Sequence, residues 1–164
     1  MSQYTTTDFA ECPLFDKLTP EELQNVVNLL SIEEYPAGET ILVEGRSHAA
    51  IWIVLEGRCR VTKRTKDGGQ HDLAIVERMR TFGEMSFFHP APHSATVIAD
   101  TDVTVARLDR ARYHSLVDQG SQAALKIVIN TVGVVSERLR QMDEFAGEII
   151  DAKAHTSATF FGVS

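Results

Sequence analysis

Cysteine is scarce in this 164-residue sequence: the two present, Cys12 and Cys59, form neither a CxxC pair nor a disulfide framework. Their scarcity argues against a disulfide-rich secreted domain and indicates a reducing compartment. Long hydrophobic runs are also missing, since no segment approaches the ~20 apolar residues of a membrane span. The N-terminus lacks the basic and apolar regions of a signal peptide. We therefore expect a cytoplasmic protein with no membrane partner.

Positive charge is under-represented as well. With 16 Lys and Arg against 23 Asp and Glu, the formal net charge is −7 and the sequence pI is near 5.3. A nucleic-acid-binding domain usually presents a basic face, so this balance disfavours direct DNA binding. The hydrophobic share of 43% is ordinary for a globular chain. The length fits one domain, or one domain with a long helix.

The N-terminal segment carries the first clear local signal. Thr19 and Glu22 stand at the spacing of a capping box, and Pro20 occupies the first helical position. Apolar residues at helical spacing follow, which predicts a short amphipathic helix from about Pro20 to Leu30. Three apolar residues before it are expected to pack as a hook: Leu14, Phe15 and Leu18. We assign residues 1–31 to an N-terminal helical hook.

Residues 32–108 consist of short apolar or alternating runs between glycines. In one of these runs, Leu73 and Ile75 alternate with Asp72 and Ala74, as in a strand with one buried face. The segment 66–69, Lys-Asp-Gly-Gly, is a strong hairpin-turn signal. Regularly spaced short strands with glycine turns predict a β-sandwich or a jelly-roll barrel.

The sequence after residue 108 returns to helical patterns, and we assign residues 109–153 to hinge and dimerisation helices. The longer helix is expected from about Gln122 to Lys153, and its apolar residues are spaced alternately three and four apart, as in a coiled coil. The main seam residues are Leu125, Val128, Val132, Val135, Leu139 and Met142. This pattern predicts a homodimer, although a helix packed on the barrel would show it too. Residues 154–164 are expected to form a frayed tail.

The most informative segment runs from Phe82 to Val97 and reads FGEMSFFHPAPHSATV. It begins with a Gly-acid-apolar turn and continues through a Pro-rich corner. Such a segment can hold a small anion, because backbone N–H groups at the start of a short helix point toward it and the helix dipole adds positive potential. An acidic side chain in that setting suits a sugar hydroxyl rather than the anion.

This segment resembles the phosphate-binding cassette of the cyclic-nucleotide-binding domain family, of the type found in the catabolite activator protein and in regulatory subunits of protein kinase A. The family pattern has Phe-Gly-Glu, then Pro-Arg-small-Ala a few residues later. Glycines at barrel corners also match, so the resemblance covers about residues 14–139. It implies a mainly β fold with flanking helices: a double-stranded β-helix, or jelly-roll, of about eight strands in residues 32–108, plus a long C-terminal helix.

The resemblance further implies a pocket for a cyclic nucleotide, cAMP or cGMP, with no other cofactor. The implied ligand-binding residues are Gly83, Glu84, Met85, Ser86, His93 and Ser94. Glu84 would accept a hydrogen bond from the ribose 2′-hydroxyl, or it is simply an acid favoured in the first turn of a helix. Ser94, rather than Thr96, is the hydroxyl contact that the resemblance implies. Asn130 or Thr131 would be placed to reach the base.

Two departures from the family pattern bear on the ligand. His93 stands where the family has an arginine that clasps the phosphate; arginine is always charged and two-pronged, whereas histidine titrates near neutrality. Either Arg80 or Arg46 supplies the missing charge from another loop, or His93 is a solvent-facing corner residue and the pocket is empty. Upstream of the cassette, Met79 and Arg80 replace the usual Gly-Asp. A non-glycine residue there adopts a different turn or carries strain.

Two main readings of function follow. The first is a stand-alone regulatory module that senses a cyclic nucleotide and signals through its C-terminal helix. The alternative is a dimeric scaffold with a degenerate pocket, which acts by docking a protein effector and binds no cyclic nucleotide. Nucleophile-base and metal-binding patterns that would indicate an enzyme are missing from the sequence. The segment after Lys153 is too short for a helix-turn-helix domain, so DNA binding is not expected.

Overall fold

The computed structural model describes residues 4–160, with side chains described as far as residue 150. Within this range the chain forms two short 3-10 turns, four α-helices and eight β-strands. The helices are α1 (Pro20–Val27), α2 (Glu84–Phe88), α3 (Arg110–Asp118) and α4 (Gln122–Phe160). The strands are β1 (Ser31–Tyr35), β2 (Thr40–Leu42), β3 (Ala50–Glu56), β4 (Cys59–Arg64), β5 (Gln70–Val76), β6 (Thr81–Phe82), β7 (Thr96–Ala99) and β8 (Val103–Asp109).

The eight strands form two antiparallel sheets of four strands each. Their orders are β1-β8-β3-β6 and β2-β7-β4-β5. In the first sheet, β3 pairs with β8 from Ala50 opposite Asp109 onward. Together with the long helix α4, this arrangement confirms the predicted jelly-roll of about eight strands.

Strand β3 is buried on both faces and separates two hydrophobic clusters. Its sequence AIWIVL is apolar at every position, as expected for a strand covered on both sides. Ile51, Ile53 and Leu55 face the first cluster, which also contains residues of α1, α3 and α4. Ala50, Trp52 and Val54 face the second cluster, between the sheets. Each side chain of β3 is therefore assigned to one cluster by its place in the two-residue period.

The two cysteines lie in different hydrophobic clusters, on opposite sides of β3. Cys12 belongs to the first cluster and Cys59 to the second, and both are free thiols. Burial raises the pKa of Cys12 to about 11 and that of Cys59 to about 12.

The N-terminal capping box is present as predicted. The Thr19 backbone N–H donates to Glu22 Oε2 at 2.7 Å, and the Glu22 N–H donates to Thr19 Oγ1 at 3.2 Å. Glu22 also pairs with Lys126 Nζ at 2.6 Å, which ties the start of α4 to α1. Helix α1 ends at Val27, three residues before the predicted end, and Leu29 and Leu30 continue in single turns.

The chain divides into two compact units at Asn130, and α4 spans the division. Along α4 the exposed apolar residues are Leu125, Ile129, Val132, Leu139, Met142, Phe145, Ile149 and Ile150. Val128 differs from the predicted seam because it packs against the first cluster, and Ile129 is the exposed residue at that turn. None of the described helices is both long enough and apolar enough to cross a membrane. Helix α4 continues past the predicted end at Lys153, and residues 161–164 of the predicted tail lie outside the described residues.

Met79 resolves the question raised by its departure from the family pattern. Its φ of 61° is left-handed, so methionine keeps the turn that glycine would make and carries the strain. Its N–H donates to the Val54 carbonyl at 2.7 Å, and its side chain, 5% exposed, packs in the first cluster. Packing of the side chain thus offsets the cost of the backbone.

We predict that Met79→Gly destabilises the protein by about 1–3 kcal/mol, because the loss of a buried methionine exceeds the ~1 kcal/mol of strain relieved. Lys17 is the matched control: it has the same φ of 61° but an exposed side chain. Lys17→Gly should stabilise the protein by up to ~1 kcal/mol. Urea unfolding measures both. Equal stabilisation by the two variants would show that the Met79 side chain contributes nothing.

Candidate functional site

The cassette begins at Gly83, between β6 and α2, in a conformation that only glycine fits. Its φ is 86°, and a Cβ there would lie 2.7 Å from Trp52 Cε3 and 2.8 Å from the Ala50 carbonyl oxygen. Its carbonyl accepts from the Phe87 N–H at 3.1 Å, which starts α2. In the first turn of a helix the N–H groups have no partner within the helix, so they are available to an acceptor at this end.

Helix α2 turns its predicted ligand-binding residues in different directions. Glu84 is 3% exposed and Ser86 is also buried, so both side chains point into the protein. The Met85 side chain is 63% exposed, which leaves only its backbone for the predicted role. The structure therefore brings a carboxylate and a hydroxyl beneath the cassette.

His93, in the second half of the cassette, contacts the residues of α2. Its N–H donates to the Arg46 carbonyl at 2.8 Å, and its own carbonyl accepts from the Gly45 N–H at 2.9 Å. The ring is 6% exposed, and its Nδ1 lies 3.1 Å from Ser86 Oγ. His93 and the α2 residues, which the sequence could only associate by resemblance, are thus joined by a direct contact.

The imidazole of His93 is held neutral by its surroundings. Burial lowers the pKa of His93, and the nearby charge of His48 lowers it further. Its Nε2 is buried and has no hydrogen-bond partner among the described residues. A permanent positive charge, as in the family's arginine, is therefore missing at this position.

Ser94 was predicted to face inward, and this prediction is wrong. Its side chain is exposed, and its carbonyl accepts from Lys63 Nζ at 2.7 Å. Thr96 is half-buried, and its Oγ1 accepts from the Glu44 N–H at 3.0 Å. The prediction failed because β7 begins only at Thr96, so the alternation of a strand does not extend to Ser94.

The two arginines considered as substitutes for the missing charge are placed differently. Burial raises the pKa of the Cys12 thiol, and the charge of Arg80 opposes this rise. The Arg80 guanidinium is therefore close to Cys12 and the first cluster. Arg46 adjoins His93 through its backbone and has an exposed side chain. Lys63, which the sequence did not single out, places a further cation near Ser94.

Trp52 is a further residue of the site that sequence reasoning missed. It is 2% exposed and stacks on Phe82, with centroids 5.6 Å apart and planes at 1°. Its ring also meets His93 edge-on at 6.5 Å and His48 at 5.6 Å. The indole Nε1 is buried without a hydrogen-bond partner among the described residues. A single tryptophan inside an apolar strand is interpreted as a core residue, so no signal in the sequence would have assigned Trp52 to the site.

The remaining candidates have other surroundings. Asn130 Nδ2 donates to the carbonyls of Leu14 and Asp16 at 3.0 and 2.7 Å, so this amide is engaged with the N-terminal hook. A cleft of about 480 Å³ lies beside the start of α3, lined by His48, Ala49 and 109–112, and the predicted ligand-binding residues do not line it. In the part of the chain that the structure describes, no three His, Cys, Asp or Glu side chains are grouped as a metal site.

Comparison with known proteins agrees with the geometry. The family model "Cyclic nucleotide-binding domain" matches residues 32–119, more than half of the chain. The chain therefore belongs to the cyclic nucleotide-binding domain family, as the resemblance of its cassette predicted. 

The similar proteins include a transcriptional regulator. A CRP-like cAMP-activated global transcriptional regulator of Mycobacterium tuberculosis is 23% identical over 141 residues, covering 86% of this chain and 61% of the relative. The chain thus spans about three fifths of the length of that curated relative. The catabolite activator protein of Thermus thermophilus is similar in structure, with a TM-score of 0.74 and 27% identity over 84% of this chain and 62% of that one. A cyclic nucleotide-binding domain from Methylobacillus flagellatus shares the fold, with a TM-score of 0.81 and 22% identity over 87% of this chain and 83% of that one.

Proposed function

We propose that the protein is a regulatory module that senses a cyclic nucleotide, cAMP or cGMP, at the cassette and signals through α4. The observation that carries the proposal is the Ser86–His93 contact, which closes the corner of a family-type cassette around the start of α2. Family membership supports a ligand-binding regulatory role, and the nucleotide is the finer part of the proposal. Buried thiols suit the reducing, cytoplasmic setting that we also propose.

Each cassette residue has a distinct task in this proposal. The left-handed turn at Gly83 aims the N–H groups of Met85 and Ser86 at the phosphate. The buried carboxylate of Glu84 accepts from the ribose 2′-hydroxyl. His93 supplies a hydrogen bond to the phosphate in place of the family's permanently charged arginine, so the strength of this contact depends on the protonation of the imidazole.

Helix α4 is proposed to carry the signal and to form a homodimer. Its start is fixed by Lys126 to Glu22 and by Asn130 to the carbonyls of Leu14 and Asp16. The exposed apolar residues of α4, from Leu125 to Ile150, form an apolar stripe. Such a stripe is unusual on the surface of a monomer and suits a second copy of the same helix. A ligand that binds two arrangements of the helix with different affinity would shift the population between them and so reach an effector.

One observation favours the second candidate, a dimeric scaffold that binds no cyclic nucleotide. Trp52 packs directly beneath Gly83, and the Nε2 of His93 is covered. A pocket closed in this way would leave the cassette as a structural turn. Binding measurements separate the two candidates.

Cyclic-nucleotide affinity should rise as the pH falls. The free protein holds His93 neutral because its pKa is lowered, whereas a bound phosphate favours the imidazolium and raises that pKa. Binding therefore takes up a proton between the two pKa values, and affinity should be several-fold higher at pH 6 than at pH 8. Calorimetric titration of cAMP and cGMP at both values measures this. His93→Gln should flatten the dependence, and no binding at millimolar ligand at either pH would support the scaffold instead.

His93→Arg should tighten cyclic-nucleotide binding by roughly tenfold to a hundredfold, because it restores a charged, two-pronged donor. His93→Lys, which restores charge without the second prong, should give a smaller gain. Calorimetry at pH 8, where the histidine is neutral, gives the clearest contrast. An affinity unchanged in both variants would mean that position 93 does not contact the phosphate.

The dimer is tested on exposed residues of α4. Val132→Lys together with Leu139→Lys places two charges on the apolar stripe and should yield monomers in analytical sedimentation. Gln141→Lys together with Glu144→Lys adds lysines to exposed polar positions and should leave the mass unchanged. A dimeric mass for the first variant would refute the proposed seam.

A further inference from the structure

The carbonyl of Ser94, in the corner formed by residues 93–96, is bonded by a side chain from another strand. Lys63 Nζ, near the end of β4, donates to this carbonyl at 2.7 Å. Strand β7 begins only at Thr96, so the Ser94 carbonyl lies outside the strand ladder. A backbone acceptor outside regular structure needs a side chain or water as its partner. Lys63 therefore supplies the corner with a hydrogen bond that the sheet does not provide.

The alternation of side chains in β4 explains why this lysine reaches the corner. Residues two apart in a strand share a face. Cys59 and Val61 pack in the second cluster, between the sheets, and Lys63 is the next residue on the same face. Its apolar stem continues that face, while its charged end emerges where the cluster ends. Arg64 lies on the opposite face, and among the described residues its side chain forms no hydrogen bond or ion pair.

Glu44 belongs to the same set of contacts. Its Oε1 lies 3.9 Å from Lys63 Nζ, and its Oε2 accepts from the Arg64 N–H at 3.0 Å. The N–H of Glu44 donates to Thr96 Oγ1, also at 3.0 Å. A partly exposed ion pair contributes little by itself. The two charged side chains act instead through their hydrogen bonds to backbone groups, because charge-assisted bonds are stronger than neutral ones.

The backbone at the start of the corner is fastened as well. The Gly45 N–H donates to the His93 carbonyl at 2.9 Å, and the His93 N–H donates to the Arg46 carbonyl at 2.8 Å. Both bonds join the corner to the segment 44–46, which also holds Glu44. The path of residues 93–96 is thus fixed from two directions, by this segment and by β4, through groups of the protein itself.

We infer that Lys63, assisted by Glu44, is a positioning residue of the cassette: its ammonium fixes the Ser94 carbonyl and so sets the path of the backbone from His93 to Thr96. This inference rests on the proposed function and gives Lys63 no contact with the ligand. A corner that is already in place raises affinity, because binding then carries no further cost for ordering it. Both residues lie outside the segment 82–97 that defines the cassette.

Hydrogen exchange of single amides, followed by NMR on the free protein, tests the placement of the corner. Lys63→Met keeps an unbranched side chain and removes the ammonium. We expect the amides of Gly45 and His93 to exchange about tenfold faster in this variant, since one charge-assisted hydrogen bond is lost. The amides of β3 and β8 should keep their rates, which separates a local effect from a loss of global stability. Lys63→Arg retains a charged donor and should retain slow exchange.

Arg64→Met is the matched control, because it removes the same charge from the next residue, on the opposite face of β4. Calorimetric titration with cAMP at one ionic strength compares the variants. Lys63→Met should bind about tenfold more weakly than Arg64→Met, and Lys63→Arg should bind like the unaltered protein. An equal loss in Lys63→Met and Arg64→Met would mean that only the charge matters, and the inference would be wrong.

The two measurements distinguish a failure of the inference from a failure of the proposed function. Unchanged exchange at Gly45 and His93 in Lys63→Met overturns the inference, whatever the affinity for cAMP. Faster exchange in that variant, together with no binding of cAMP by the unaltered protein, supports the placement of the corner by Lys63 and refutes the proposed function.

Discussion

The double burial of β3 is the constraint on which the rest of the structure depends. One face of the strand closes the cluster that holds the helices, and the other closes the cluster between the sheets. Its register against β8 fixes which side chains enter each cluster. Because Trp52 is committed to the inter-sheet side, and Gly83 follows the short strand paired with it, the cassette has an aromatic floor as a consequence of strand pairing. The site is thus set by the same alternation that builds the core.

The cassette illustrates how a binding motif can keep its backbone while its electrostatics change. Gly83 retains the left-handed turn, and Glu84 retains its buried position. The position that would hold a full charge carries a buried imidazole, whose protonation is opposed by desolvation and by a second histidine. In a region of low dielectric, the free energy needed to bury a fixed charge without a bound ligand is much larger than that needed to bury a neutral donor. A neutral imidazole can be buried without a partner at a modest cost, as His93 is here, whereas an unpaired arginine could not.

Much of the fold and part of the site could be predicted from the sequence. The capping box at Thr19 and the glycine turns are local signals, and they appear in the structure as expected. Predictions failed where long-range packing decides the outcome. Leu73 and Ile75 alternate as if half-buried, yet β5 is an edge strand without a covering layer. Ser94 lies just outside its strand, and Trp52 gives no signal beyond hydrophobicity because its importance arises only from what folds against it.

The placement of the two thiols has a practical consequence for spectroscopy. Alkylating reagents react with thiolates, and both native cysteines are buried with pKa values near 11 and 12. We therefore expect this chain to react slowly with maleimide and iodoacetamide at neutral pH. A cysteine introduced on the exposed surface of α4 would be the dominant reactive thiol, so a spin label or dye could be attached there without removing either native residue. Because the hydrophobic clusters protect both native thiols, labels could be attached selectively to α4 and used to measure distances along that helix.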